Sequence, residues 1–282
     1  MFRTRLISGI LLVIAALAVI LTGGYFLAAV LGVISMIAYR ELMGACGLRS
    51  GGERTSALEM AGWLLIAAYY AVLVVSLRGG LGKVYPAVMI MVVISFLVFL
   101  FVYVFAFPKY HAVQIMTAMF CLLYAPVMLS FIYLLRQGFA QGRYLVWFVF
   151  LSSWGSDTCA YAVGVLIGKH KMTPKLSPKK SVEGAVGGVV GAALLFMLYT
   201  HLVINVYTDV TLSPALSALL GAVGAMVSMV GDLAASAVKR DHNIKDYGRL
   251  IPGHGGIMDR FDSVIVAAPI IFIGIAMLSQ QI

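Results

Sequence analysis

The chain has 282 residues, of which 62% are hydrophobic and only 11% charged, with a mean hydropathy of +1.01 and a formal net charge of +9. Soluble domains run nearer ~45–50% apolar and ~25% charged, so a water-exposed globular body of this size is excluded. The positive charge is therefore read as basic loops facing the cytoplasm and anionic headgroups, with no nucleic-acid partner.

Nine apolar stretches follow in chain order, at 6–22, 25–46, 60–78, 85–107, 112–135, 144–168, 182–206, 214–238 and 263–279. Each is near the ~20 residues that a spanning helix needs. The first follows Arg3 and Arg5 as a signal peptide would. It has no small-residue cleavage site and runs through Gly23-Gly24 into the second stretch, so it is expected to be a retained span. Nothing alternates over the ~10 residues of a barrel strand. The expected fold is all-α, a polytopic integral membrane bundle of about nine transmembrane helices. Tyr85, Tyr144 and Trp147 fall near segment ends, where amphipathic rings anchor. Cys46, Cys121 and Cys159 have no partner at a metal or disulfide spacing and read as small buried hydrophobes.

With the N-terminus inside, sixteen Lys and Arg residues fall on the inner side and four (Arg78, Lys83, Arg136 and Arg143) on the outer. The positive-inside rule then places the N-terminus and both long basic loops in the cytoplasm, and the protein in the cytoplasmic membrane. Charge also divides the chain. Residues 1–143 hold about five spans and, among acidic and histidine residues, only Glu41, Glu53, Glu59 and His111. Residues 144–282 carry the other eight carboxylates and both basic loops, and form the expected catalytic region. Gly184, Gly187, Gly188 and Gly191 form a small-residue face suited to close helix packing.

Intramembrane carboxylates cost several kcal/mol unless paired, hydrated or metal-bound, so Asp157, Asp232, Asp259 and Asp262 are functional candidates. The alternative is an interhelical pair that only holds the bundle. Asp232, Ser236 and Lys239 share one helix face, as do Asp259 and Asp262. Carboxylates beside lysines and arginines suit a Mg²⁺–phosphate complex, since magnesium takes one or two carboxylates, keeps waters and is completed by phosphate. Zinc would want Cys or His, and the five histidines are scattered. The first basic loop runs from Lys169 to Ser181, where Ser181 and Glu183 favour a helix start with amides available to phosphate. A polybasic strip for anionic lipid is the plainer reading.

The second loop, Ser236 to Asp262, contains a Lys-Arg pair, Lys-Asp, Pro-Gly-His-Gly-Gly, Asp-Arg and Asp. This pattern resembles the signature of the CDP-diacylglycerol synthase (phosphatidate cytidylyltransferase) family. The segments from Trp154 to Gly164 and from Ser177 to Gly184 resemble that family too, so the likeness covers roughly 150–262.

The resemblance implies an enzyme joining CTP to phosphatidic acid, giving CDP-diacylglycerol and pyrophosphate. It implies a catalytic set of Lys239, Arg240, Lys245, Asp246, His254 and Arg260. Substrate would be held by Ser177, Lys179, Lys180, Ser181, Ser236, Gly253, Gly255 and Gly256. Asp232 and Asp259 would bind Mg²⁺, with Asp262 and Asp157 as members of a site for a second cation. His254 is either a phosphate hydrogen-bond donor or part of a structural turn. The residue chemistry agrees, because a phosphate monoester is already ionised at neutral pH and needs charge neutralisation and alignment rather than a strong base. Expected partners are CTP, phosphatidic acid, membrane lipids and a second copy of the chain. The rival readings are a polyprenol kinase or similar CTP-using lipid enzyme, and a transporter of an anionic substrate.

Overall fold

The computed structural model describes residues 2–48, 56–253 and 255–279. Nine helical rods cover the nine apolar stretches: α1 (Phe2–Thr22), α2 (Gly24–Ala45), α3 (Ala57–Leu77), α4 (Leu81–Phe105), α5 (Ala112–Gly138), α6 (142–167), α7 (Val182–Tyr207), α8 (Pro214–Asp241) and α9 (Met258–Ser279). Seven of them, all but α1 and α6, are long and apolar enough to cross a bilayer, and the chain is a polytopic membrane helix bundle. The apolar part of α1 spans Gly9–Thr22, and α6 is interrupted at Val146 and by a π turn at Leu151–Gly155. One departure from all-α appears in the first basic loop. There β1 (Lys171–Thr173) pairs antiparallel with β2 (Ser177–Ser181), in the register Lys171 to Ser181 and Thr173 to Ser177.

Packing groups the chain into two compact units: Met1–Tyr133 with His242–Arg260, and Leu134–Asp241 with Phe261–Ile282. The loop before α9 thus packs with the N-terminal helices.

In the first unit, α2 packs on α3 and α5, and α4 packs on α3 and α5. Tyr39, Leu42, Met43, Ile66, Leu73 and Phe99 are fully or almost fully buried there. Phe105, by contrast, is 83% exposed on α4, whose exposed residues from Met89 onward are all apolar, as suits a lipid-facing helix. Pro126 within α5 cannot donate to the helix ladder, and the rod widens into a π turn at Leu123–Val127 to accommodate it. The Tyr70 hydroxyl reaches the Pro126 carbonyl (3.5 Å) and meets Ser35 Oγ (2.9 Å), while Tyr69 meets Ser130 (2.8 Å). These buried hydroxyls are thereby satisfied within the core. The thiols of Cys46 and Cys121 also meet, a contact that their separation in sequence conceals.

In the second unit, α7 packs between α6 and α8, with its glycine face against α6. A Cβ on Gly188 would fall 3.0 Å from Ala160 Cβ, and one on Gly184 would fall 2.8 Å from the Ala160 carbonyl oxygen. These rods touch at backbone distance because the side chains are absent. Gly231 does the same for α8 against α9, where a Cβ would lie 2.9 Å from the Asp262 carbonyl.

Candidate active site

The first unit holds the loop between α8 and α9. Its folding is dictated by two carboxylates. Asp259 Oδ2 accepts the backbone N–H groups of Tyr247 (2.8 Å) and Gly256 (3.0 Å), drawing both ends of the loop onto the start of α9. Glu41, in the last turn of α2, accepts the N–H groups of Ile257 (3.2 Å) and Met258 (2.8 Å). Between them the chain reverses through a bridge from Ile251 to Gly255, with Gly253 and Gly255 at φ +77° and +84°, values that side-chain-bearing residues rarely adopt.

This folding opens a cavity of about 610 Å³ lined by Lys245, Asp246, Arg249, Gly253, Gly255 and Arg260, among others. Three cations against one carboxylate make it an anion site. The Arg260 Nε is buried with no hydrogen-bond partner among the described residues, a costly state for a guanidinium unless an anion completes it. The carboxylates decide where the loop amides point: the Gly256 and Met258 amides serve Asp259 and Glu41, which leaves anion contacts chiefly to side chains. His254 lies outside the described residues.

The second unit holds a different cluster. The Lys180 ammonium contacts the Asp232 carboxylate, each side chain about a quarter exposed (25% and 27%). Asp157 lies within electrostatic reach of both. Asp157, Lys179, Lys180 and Ser181 form the polar side of a cavity of about 380 Å³, while Val165, Met172 and Met229 contribute to an apolar remainder. A pocket with charge at one wall and hydrocarbon at the other suits an amphiphile with an anionic head. Ser181 caps α7 by accepting the Gly184 N–H (3.1 Å), and Glu183 turns back to accept the N–H groups of Lys169 (3.1 Å) and His170 (3.2 Å). That pins the hairpin carrying Lys179 and Lys180.

The remaining candidates are placed as follows. Ser177 begins β2, and Ser236 sits half-buried on α8. Lys239 and Arg240 occupy the last turn of α8, outside the lining of either cavity. Asp262 is 8% exposed and accepts the Ser263 N–H (2.8 Å). Among the described residues no three His, Cys, Asp or Glu side chains gather into a metal cage. Magnesium needs no such cage. Asp232, with a cation already against it and Asp157 in reach, fits that ion by donor chemistry, and α8 touches α9 closely where Gly231 meets Asp262. Two residues of this region went unread in the sequence: Arg249, a lining cation in a basic loop, and Glu41, isolated in the polar-poor half and bonded to the loop backbone.

The cytidylyltransferase family profile matches residues 3–278. The chain belongs to the cytidylyltransferase family. Among curated relatives, a phosphatidate cytidylyltransferase of Staphylococcus epidermidis is 31% identical over 272 residues, 95% of this chain and 97% of the relative. That of Staphylococcus aureus is 28% identical over 273 residues, with the same coverage. That of Staphylococcus saprophyticus is 35% identical over 157 residues, covering 55% of this chain and 58% of the relative. For a cytidylyltransferase, the cationic cavity and the amphiphile-shaped one are the two kinds of pocket that a nucleotide and a lipid phosphate require.

Proposed function

We propose that this cytidylyltransferase moves the cytidylyl group of CTP onto phosphatidate, giving CDP-diacylglycerol and pyrophosphate. The observation that carries the reading is the cavity lined by Lys245, Arg249 and Arg260, with its buried guanidinium nitrogen awaiting an anion. A phosphate oxygen of phosphatidate, ionised at neutral pH, attacks the α-phosphorus of CTP; the bond from that phosphorus to the bridging oxygen breaks, and pyrophosphate leaves with its electrons. No proton has to be removed from the nucleophile, which agrees with a site rich in cations.

Lys245, Arg249 and Arg260 hold the triphosphate and offset charge on the departing pyrophosphate. Lys179, Lys180 and Ser181 hold the lipid phosphate, with the apolar wall of Val165, Met172 and Met229 against its glycerol and first acyl carbons. Asp232, with Asp157 or Asp262, would hold Mg²⁺, which supplies further neutralisation of triphosphate charge when bound. The N-terminus and both basic loops face the cytoplasm, where CTP is made, and the protein resides in the cytoplasmic membrane.

Purified protein incubated with CTP, Mg²⁺ and phosphatidic acid tests this. The expected products are a lipid-linked cytidine nucleotide and pyrophosphate. Release of CDP with a phosphorylated polyprenol would identify a kinase instead, and no turnover of either lipid would refute the reading.

A further inference from the structure

We propose that Glu41, on the second helix and 200 residues and more from the loop it touches, is a positioning residue for the cationic cavity. The first N–H groups of a helix have no intrahelical acceptor, and the helix dipole favours negative charge there. At the start of α9 that place is taken by the chain's own carboxylate, with Oε1 on Ile257 and Oε2 on Met258. Two loop glycines close around it. A Cβ on Gly248 or on Gly256 would run into the Glu41 carboxylate, and for Gly256 the three nearest atoms all belong to it. Gly256 has no positive φ to explain it, so the space it leaves is for Glu41. Arg249 follows Gly248, and Arg260 lies two residues beyond Met258. The two arginines that line the cavity are thus attached to the backbone that Glu41 clamps. Without the clamp they lose their mutual placement, and binding of a polyphosphate weakens.

The inference rests on reading this cavity as the CTP site, and the test separates the two. Full-length wild type, E41A, E41Q, G256A and the double variant E41A/G256A are compared in detergent for CTP binding, for the KM of each substrate, and for amide exchange over 255–259. E41A is expected to raise the Kd and KM for CTP about tenfold, the scale of losing a charge-assisted hydrogen bond, with the KM for phosphatidate changed less than about twofold by the same reasoning. Exchange over 255–259 rises in parallel, and E41Q, which keeps one acceptor oxygen, recovers part of the loss. G256A impairs the wild type but adds little to E41A, because the methyl group then enters vacated space. Unchanged exchange in E41A, or loss of activity with CTP KM unmoved, would overturn the positioning role, as would additive effects in the double variant. Failure of the wild type to bind CTP would sink the reading of the cavity, while the exchange data would still decide whether Glu41 holds the loop.

Discussion

Lys180 sets its ammonium against the carboxylate of Asp232, joining the hairpin strand β2 to helix α8 within one unit. With both side chains partly exposed, such a pair contributes only ~0–1 kcal/mol to stability. Its interest lies in where it puts a positive charge: on the carboxylate best suited to a magnesium ion. If Asp232 holds Mg²⁺ as proposed, the lysine and the metal are alternative neighbours of one oxygen.

Asp232→Asn is expected to reduce turnover by ~100-fold or more at saturating Mg²⁺, the scale of a lost metal ligand or partner, with little change in thermal unfolding. Lys180→Gln is expected to cost about tenfold in turnover through a lost charged contact to phosphate. It should also lower the Mg²⁺ concentration needed for half-maximal activity, since the competing cation is gone. Metal titrations of both variants check this. Near-normal turnover in Asp232→Asn excludes it from the metal centre.

The glycine face of α7 allows a stability prediction. A methyl group on Gly184 meets the Ala160 carbonyl at 2.8 Å and the Ser181 hydroxyl at 2.9 Å, and backbone atoms cannot yield as a flexible side chain can. Gly184→Ala should destabilise by ~1–3 kcal/mol, as overpacking does. Gly44 on α2 meets nothing within 4 Å. Gly44→Ala should be neutral or stabilise by up to ~1 kcal/mol from helix propensity alone. Unfolding of the two variants in detergent gives the comparison, and equal losses would discredit the packing argument.

Hydropathy made the nine rods legible because a bilayer imposes one length and one composition on every span. The motif loop was legible because its charges lie in one continuous run, as Lys245, Asp246 and Arg260 do. Glu41 was not, since its partners are backbone amides more than 200 positions away and a lone Arg-Glu step carries no local pattern. The role of Gly256 was hidden for the same reason: its neighbour belongs to another helix. The hairpin escaped because Pro174, Pro178 and five lysines in one segment suggest a solvated loop; what folds it is the turn-back of Glu183 onto Lys169 and His170.

Several contacts bear on topology. Glu41 to Met258 and Ala57 N–H to the Tyr110 hydroxyl (3.2 Å) join segments all assigned to the inner side by charge. Arg78 to Tyr25 (2.6 Å) and Gln141 to Asp209 (3.5 Å) join segments assigned to the outer side. Single cysteines placed at Lys175 and Asp209, both exposed, are therefore expected to react with an impermeant reagent from opposite faces, position 175 from the cytoplasm. Labelling of position 175 from outside in intact cells would reverse the orientation and put both basic loops outside the compartment where CTP is made.

The cationic cavity leads to a ranking of arginines. Arg249 lines it, Arg240 sits exposed in the last turn of α8 outside its lining, and Arg136 ends α5 on the side assigned to the exterior. Interaction with a triphosphate falls with distance and is screened over ~8–10 Å at physiological salt, so the three should differ. Arg249→Glu is expected to raise the CTP KM about tenfold or more, the effect of losing a charged contact. Arg240→Glu acts only through long-range attraction, so its smaller effect should fade as sodium chloride is raised from low to physiological concentration. Arg136→Glu should leave the CTP KM within about twofold, because the charge pattern assigns it to the opposite side of the membrane from the loop. Lys83→Glu, exposed in the first turn of α4, serves as a second control for the outer side. If Arg136→Glu raised the CTP KM as much as Arg249→Glu, the cavity beside Pro252 and Gly253 would not be the place where the triphosphate binds.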